Sequence, residues 1–199
     1  VKKAVIYIHG KGGSAAEAER YAPLFPDSTV IGFDYRAQTP WEAVQEFAAY
    51  FDSAAGRYDE ISLIANSIGA YFTLCSLGAK NIAKAFFISP VVNMERLICD
   101  MIVWANVTEA ELEETKEIPT AFGETLSWEY LLWVRSHPIK WSIPTEILYG
   151  GKDNLQSIET IRAFAEEHDA NVTVMEGGEH WFHTAEQMAF LDDWIRKVK

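Results

Sequence analysis

The chain has 199 residues, of which 49% are hydrophobic and 23% charged, the size and mix of one globular domain with its own core, and unlike a disordered or fibrous chain. Its 29 acidic residues against 17 basic ones give a formal charge of -12. That argues against nucleic acid as a partner, because phosphate binding needs clustered Lys and Arg to displace counterions. The two cysteines, Cys75 and Cys99, fit neither a CxxC nor a Cys/His metal spacing and are expected to be reduced, buried thiols.

The chain opens on "VKKAVIYIHG", where the apolar run before His9 is too short for a signal-peptide core or a membrane span, so no membrane association and a cytoplasmic location are expected. "KAVIYIH" (3–9) is the first of six short runs rich in Val, Ile and Phe. The others are "STVIGF" (28–33), "EISLIA" (60–65), "KAFFIS" (84–89), "TEILYG" (145–150) and "NVTVME" (171–176). They are near-continuous rather than alternating, which suits strands covered on both faces and therefore a parallel sheet. Helical spacing marks 40–55, through Trp41, Val44, Phe47, Ala48 and Phe51, and likewise 67–78, 156–168 and 184–198. The alternation predicts an α/β three-layer sandwich with helices on both sheet faces.

One interval breaks the rhythm. Residues 91–143 separate the fourth and fifth runs, far more chain than a crossover needs. Met94, Leu97, Ile98, Met101 and Ile102 share a helical face, Thr108 and Glu111 form a capping box, and "LSWEYLLWVRS" is helical in pattern. With no repeat and no low-complexity linker, the reading is a single domain over 1–199 carrying an insertion at about 91–143.

Three loops follow predicted strands directly, at the sheet edge where open parallel sheets bind ligands. "HGKGGS" (9–14) can turn its backbone N–H groups toward an anion, yet it lacks the ending of a phosphate-binding P-loop. "ANSIGA" places Ser67 between small residues at a strand-to-helix junction, the steric requirement of a nucleophile elbow, with Ala65 where a Gly is usual. "YGGKDN" and "EGGEHWFH" then bring Asp153 and His180. A serine hydroxyl needs a base to take its proton, and an imidazole needs a carboxylate to orient it. His183 competes with His180, but it sits where the last helix begins, and Asp169 competes with Asp153 from a helix exit at the opposite sheet edge.

The order Ser67, Asp153, His180, with "HGKGGS" ahead of it, resembles the α/β-hydrolases over nearly the whole chain. The resemblance implies Ser67 as nucleophile, His180 as base and Asp153 as acid, with the backbone N–H groups of Lys11 and Ile68 forming the oxyanion hole. It implies a six-stranded parallel sheet of order 2-1-3-4-5-6 and makes the insertion a helical lid. Trp104, Trp128 and Trp133 of that insertion, with Trp181, become candidate substrate contacts. The expected activity is hydrolysis of a small carboxylic ester or related acyl compound through an acyl-enzyme. A thioesterase, amidase or carbon–carbon hydrolase on the same residues, or a binding protein of the same fold, stand as alternatives. No cofactor is implied, and the five histidines show no metal-ligand spacing.

Overall fold

Near-continuous apolar runs become strands where both faces of a sheet are covered, and six of them do so here. The computed structural model describes residues 1–199. The strands are β1 (Lys3–Ile8), β2 (Thr29–Phe33), β3 (Glu60–Asn66), β4 (Lys84–Ile88), β7 (Thr145–Gly150) and β8 (Asn171–Met175). They pair in parallel in the order β2-β1-β3-β4-β7-β8. The expected label order 2-1-3-4-5-6 is thus corrected. Two further strands, β5 (Glu117–Pro119) and β6 (Thr125–Ser127), pair only with each other, so the last two strands of the sheet stand seventh and eighth in the chain.

Alternate side chains of the sheet serve two cores. Val5 and Tyr7 of β1, Ile64 of β3, Phe86 and Ile88 of β4 and Leu148 of β7 pack with Tyr21 and Leu24 of a 3-10 helix, Ala15–Leu24, and with Leu191 and Trp194 of α7 (Ala185–Val198). On the other face Phe33 of β2 meets Phe47 of α1 (Pro40–Ala55) with ring centroids 4.9 Å apart. Phe47 in turn meets Phe72 of α2 (Ser67–Ser76) at 6.3 Å. These edge-to-face pairs add to the area buried. α6 (Ile158–Glu167) connects β7 to β8.

The chain divides into two compact units, Val1–Val92 with Lys140–Lys199, and Asn93–Ile139. The second is shorter at both ends than the expected insertion 91–143. Trp141, counted within that insertion, lies in the first unit, where its indole N–H donates to Thr145 Oγ1 at 2.8 Å and its ring packs on Phe87. Within the second unit, α3 (Met94–Trp104), α4 (Glu109–Thr115) and α5 (Trp128–Ser136) are joined through Arg135. Its guanidinium donates to Glu95 at 2.7 Å and to both carboxylate oxygens of Glu109 at 2.5 and 2.9 Å. The expected capping box at Thr108 is present, with Glu111 reaching back to the Thr108 N–H at 2.7 Å. Both cysteines are unpaired, but they are half-buried rather than buried.

Burial of phenols sets a pH limit on this fold. The hydroxyls of Tyr7, Tyr21 and Tyr35 all ionise above a free phenol, mainly because burial desolvates the phenolate, and Tyr21 is pushed up to about 12. A raised folded-state value means that the folded chain holds these protons more tightly than the unfolded chain, whose phenols titrate near pH 10. Their contribution to stability is therefore complete below about pH 10 and lost as pH rises through the folded values. The urea midpoint is expected to hold steady up to about pH 9.5 and to fall between about pH 10 and 12. A midpoint unchanged across that interval contradicts the burial argument.

Candidate active site

The end of β3 and the start of α2 meet at one residue. Asn66 closes the strand in extended conformation, and Ser67 turns sharply with φ of 50°, in the left-handed region. A non-glycine residue held there carries strain of order 1–3 kcal/mol, which surrounding contacts must over-determine. Val91 N–H donates to the Ser67 carbonyl at 3.1 Å, and Gly69 allows the loop after β1 to close in. A Cβ on Gly69 would sit 2.3 Å from the His9 carbonyl oxygen. Ala65, in place of the usual Gly, is fully buried between Ile8 and Phe87 of the neighbouring strands, so its methyl group fits this turn.

Ser67 Oγ lies 2.9 Å from His180 Nε2, and His180 Nδ1 lies 2.7 Å from Asp153 Oδ2. A carboxylate can only accept, so the Nδ1 proton is donated to Asp153 and Nε2 is left to accept the serine hydroxyl. The Asp153 side chain is 1% exposed against 20% for His180. Its other oxygen, Oδ1, accepts the Leu155 N–H at 2.8 Å and the Gln156 N–H at 3.4 Å. A buried carboxylate is tolerable only with partners of this kind, and both its oxygens have them. His180 therefore has one partner that fixes its tautomer and one that can lose a proton to it.

Neither rival stands in the relay, although His183 lines the same cavity as Ser67 and His180. His183 Nδ1 is 2.7 Å from the Trp181 carbonyl oxygen and 3.6 Å from Glu179, and its ring stacks on Trp181. Asp169 occupies a left-handed turn between α6 and β8. Lys11 stands on an exposed turn after β1, and Ile68 is the second residue of α2, where backbone N–H groups have no acceptor within the helix. The N-terminal end of a helix also favours negative charge.

A cavity of about 750 Å³ opens over Ser67 and His180 and is lined by Lys11, Trp181 and Phe182 among others. Trp181 is 72% exposed. The other three candidate tryptophans belong to the second unit. Trp104 lies edge-on to Phe122 at the end of α3, Trp128 opens α5, and Trp133 stacks on His137. Among the polar wall residues of the cavity that were not singled out in the sequence are Tyr7, Glu17, Arg20, Tyr21 and Asn66. Tyr7 sits inside an apolar run and reads as core, and Glu17 and Arg20 look like ordinary surface charge. Only the adjacency of Asn66 to Ser67 offered a signal.

No family model matches the chain, and no curated protein matches it in sequence. Solved structures do match in fold. Est1E from Butyrivibrio proteoclasticus superposes with a TM-score of 0.78 at 16% identity, covering 98% of this chain and 86% of that one. The same enzyme has also been solved with ferulic acid bound. Alpha/beta hydrolase domain-containing protein 10 from mouse gives 0.76 at 18% identity, covering 98% and 90%. The thioesterase domain from the curacin biosynthetic pathway gives 0.59 at 15% identity, covering 98% and 91%.

The close approach at Gly69 leaves no room for a methyl group. Gly69→Ala is expected to lower stability by about 1–3 kcal/mol, read as a lower urea midpoint at unchanged m, because either the His9 loop or the helix start must move. An unchanged midpoint would show that the turn is looser than this contact implies.

Proposed function

Taking the α/β-hydrolase fold as premise, we propose that this protein is a serine hydrolase that cleaves a small carboxylic ester through an acyl-enzyme. The observation that carries the reading is the continuous relay from Ser67 to His180 to Asp153, with contacts of 2.9 and 2.7 Å. His180 takes the Ser67 proton as Oγ attacks the carbonyl carbon, while the imidazolium is stabilised by Asp153. The backbone N–H groups of Lys11 and Ile68 receive the oxyanion. Collapse of the tetrahedral adduct breaks the bond to the alcohol, which leaves with the proton from His180. A water molecule then attacks the acyl-serine, His180 takes its proton, and the acid is released with Ser67 restored.

Several features support a small-molecule acyl substrate. The cavity of about 750 Å³ is in the size range of small-ligand sites, and one structural neighbour holds ferulic acid. Trp181 serves as an aromatic contact beside the base. In this reading 1–199 is one hydrolase domain whose inserted segment acts as a lid, with Trp104, Trp128 and Trp133 as its substrate contacts. A thioester shares the same carbonyl chemistry and belongs in the same substrate panel, since one neighbour is a thioesterase domain.

Turnover of p-nitrophenyl acetate, butyrate and octanoate tests the assignment. Ser67→Ala is expected to abolish hydrolysis, and Asp153→Asn to lower kcat by about 10³-fold or more, since the amide stabilises the wrong tautomer and no imidazolium. Retention of most activity in folded Ser67→Ala would sink the nucleophile assignment. Equal turnover of short and medium chains would remove the role of the lid tryptophans as acyl contacts.

A further inference from the structure

The cavity over Ser67 holds one carboxylate that takes no part in the relay to Asp153. Glu17 lies on the 3-10 helix, is exposed, and lines the same cavity as Ser67 and His180. Its Oε2 accepts the Tyr7 hydroxyl, and its Oε1 accepts the Ser14 N–H at 3.1 Å. The Tyr7 oxygen accepts in turn from Asn66 Nδ2 at 2.8 Å, and Asn66 adjoins Ser67. The carboxylate is thus held in a fixed position, two hydrogen bonds from the elbow.

Both of those partners are neutral, so they orient the charge without cancelling it. Burial and the adjacent Glu17 push the Tyr7 hydroxyl well above the usual range for phenols, which keeps it a proton donor to the carboxylate. Arg20, three residues further on, is committed to Asp192 at 2.6 Å. Lys11 also lines the cavity, from an exposed turn, so the charge contrast that Glu17 supplies is local to its own part of the wall. Tyr21 and Trp181 also line the cavity, but Arg20 already lies over the Tyr21 ring at 5.1 Å and His183 stacks on Trp181 at 4.4 Å, so Glu17 is the feature that distinguishes charges here. A small cation beside Glu17 therefore meets a fixed carboxylate whose own partners are neutral, whereas a substrate carboxylate meets a like charge.

We infer that the cavity selects acyl esters bearing an ammonium or similar cation over those bearing a carboxylate, with Glu17 as the specificity-determining residue. The inference rests on the acyl-transfer reading of Ser67. The net charge of -12 favours any cation at long range, so the test must separate the cavity from the surface.

Three p-nitrophenyl esters of matched length, ending in trimethylammonium, methyl or carboxylate, are compared by kcat/KM. The wild type is expected to rank them cationic, neutral, anionic. Glu17→Gln should narrow the cationic-to-anionic ratio by about tenfold, the scale of one charge pair of intermediate screening. Glu167→Gln, which removes the same charge from an exposed position on α6, should leave the ratio within about twofold. A ratio in Glu17→Gln as large as in the wild type, or a wild type without cationic preference, overturns the inference, while turnover of the neutral ester upholds the acyl-transfer reading. Should Glu17→Gln fail to fold, competition on the wild type in about 0.5 M salt, which screens the distant surface charges, decides: butyltrimethylammonium must still inhibit neutral-ester turnover more strongly than butanesulfonate, and equal inhibition overturns the inference. No turnover of any ester would overturn the acyl-transfer reading and this inference with it.

Discussion

Ser67 cannot be where it is unless the chain accepts a left-handed residue between β3 and α2, and much of the site's geometry depends on that turn. With φ of 50° the serine departs from the strand direction at once, and α2 begins on it. Its position is pinned from several directions. Val91 N–H holds its carbonyl, His180 meets its hydroxyl, and the His9 carbonyl closes on the bare Cα of Gly69. Strain of a kcal/mol or more survives only under such over-determination, and it leaves the hydroxyl projecting from the strand end instead of lying within the helix.

The sheet supplies what the turn needs. Parallel strands end at a common edge, so β1, β3, β7 and β8 deliver His9, Ser67, Asp153 and His180 to one place from four distant parts of the chain. Asp153 is the most demanding of these, because its charge is almost wholly buried. Two backbone N–H groups and the imidazole occupy its oxygens, so the charge is solvated by the loop itself and the ring has a single orientation. Glu17, Tyr7 and Asn66 form a second polar chain on the cavity wall, linking the loop after β1 to the same turn.

Much of this was legible in the sequence because it lives in short-range patterns. The six apolar runs match the strands within a residue or two, and α1 has the bounds that its apolar spacing predicts. The residues of the relay could be chosen because each stands just after a strand, where small residues and turns are conspicuous. The 3-10 helix Ala15–Leu24 escaped notice for a physical reason. Its buried residues, Ala18, Tyr21 and Leu24, recur every three positions rather than at 3.6, and Pro23 lies within it. β5 and β6 are three residues each, too short for any periodicity to register. The cavity wall was hidden for a different reason: Tyr7, Glu17 and Arg20 come from a core strand and a polar segment, and only tertiary packing makes them neighbours of Ser67.

The central claim is that Ser67 is an activated nucleophile, and covalent labelling tests it most directly. A fluorophosphonate probe followed by peptide mapping should place one adduct on Ser67, with labelling slowed by about 10²-fold or more in Asp153→Asn, where His180 loses its orienting carboxylate. An adduct on another residue, no adduct under conditions where the protein stays folded, or equal labelling in Asp153→Asn would contradict the account.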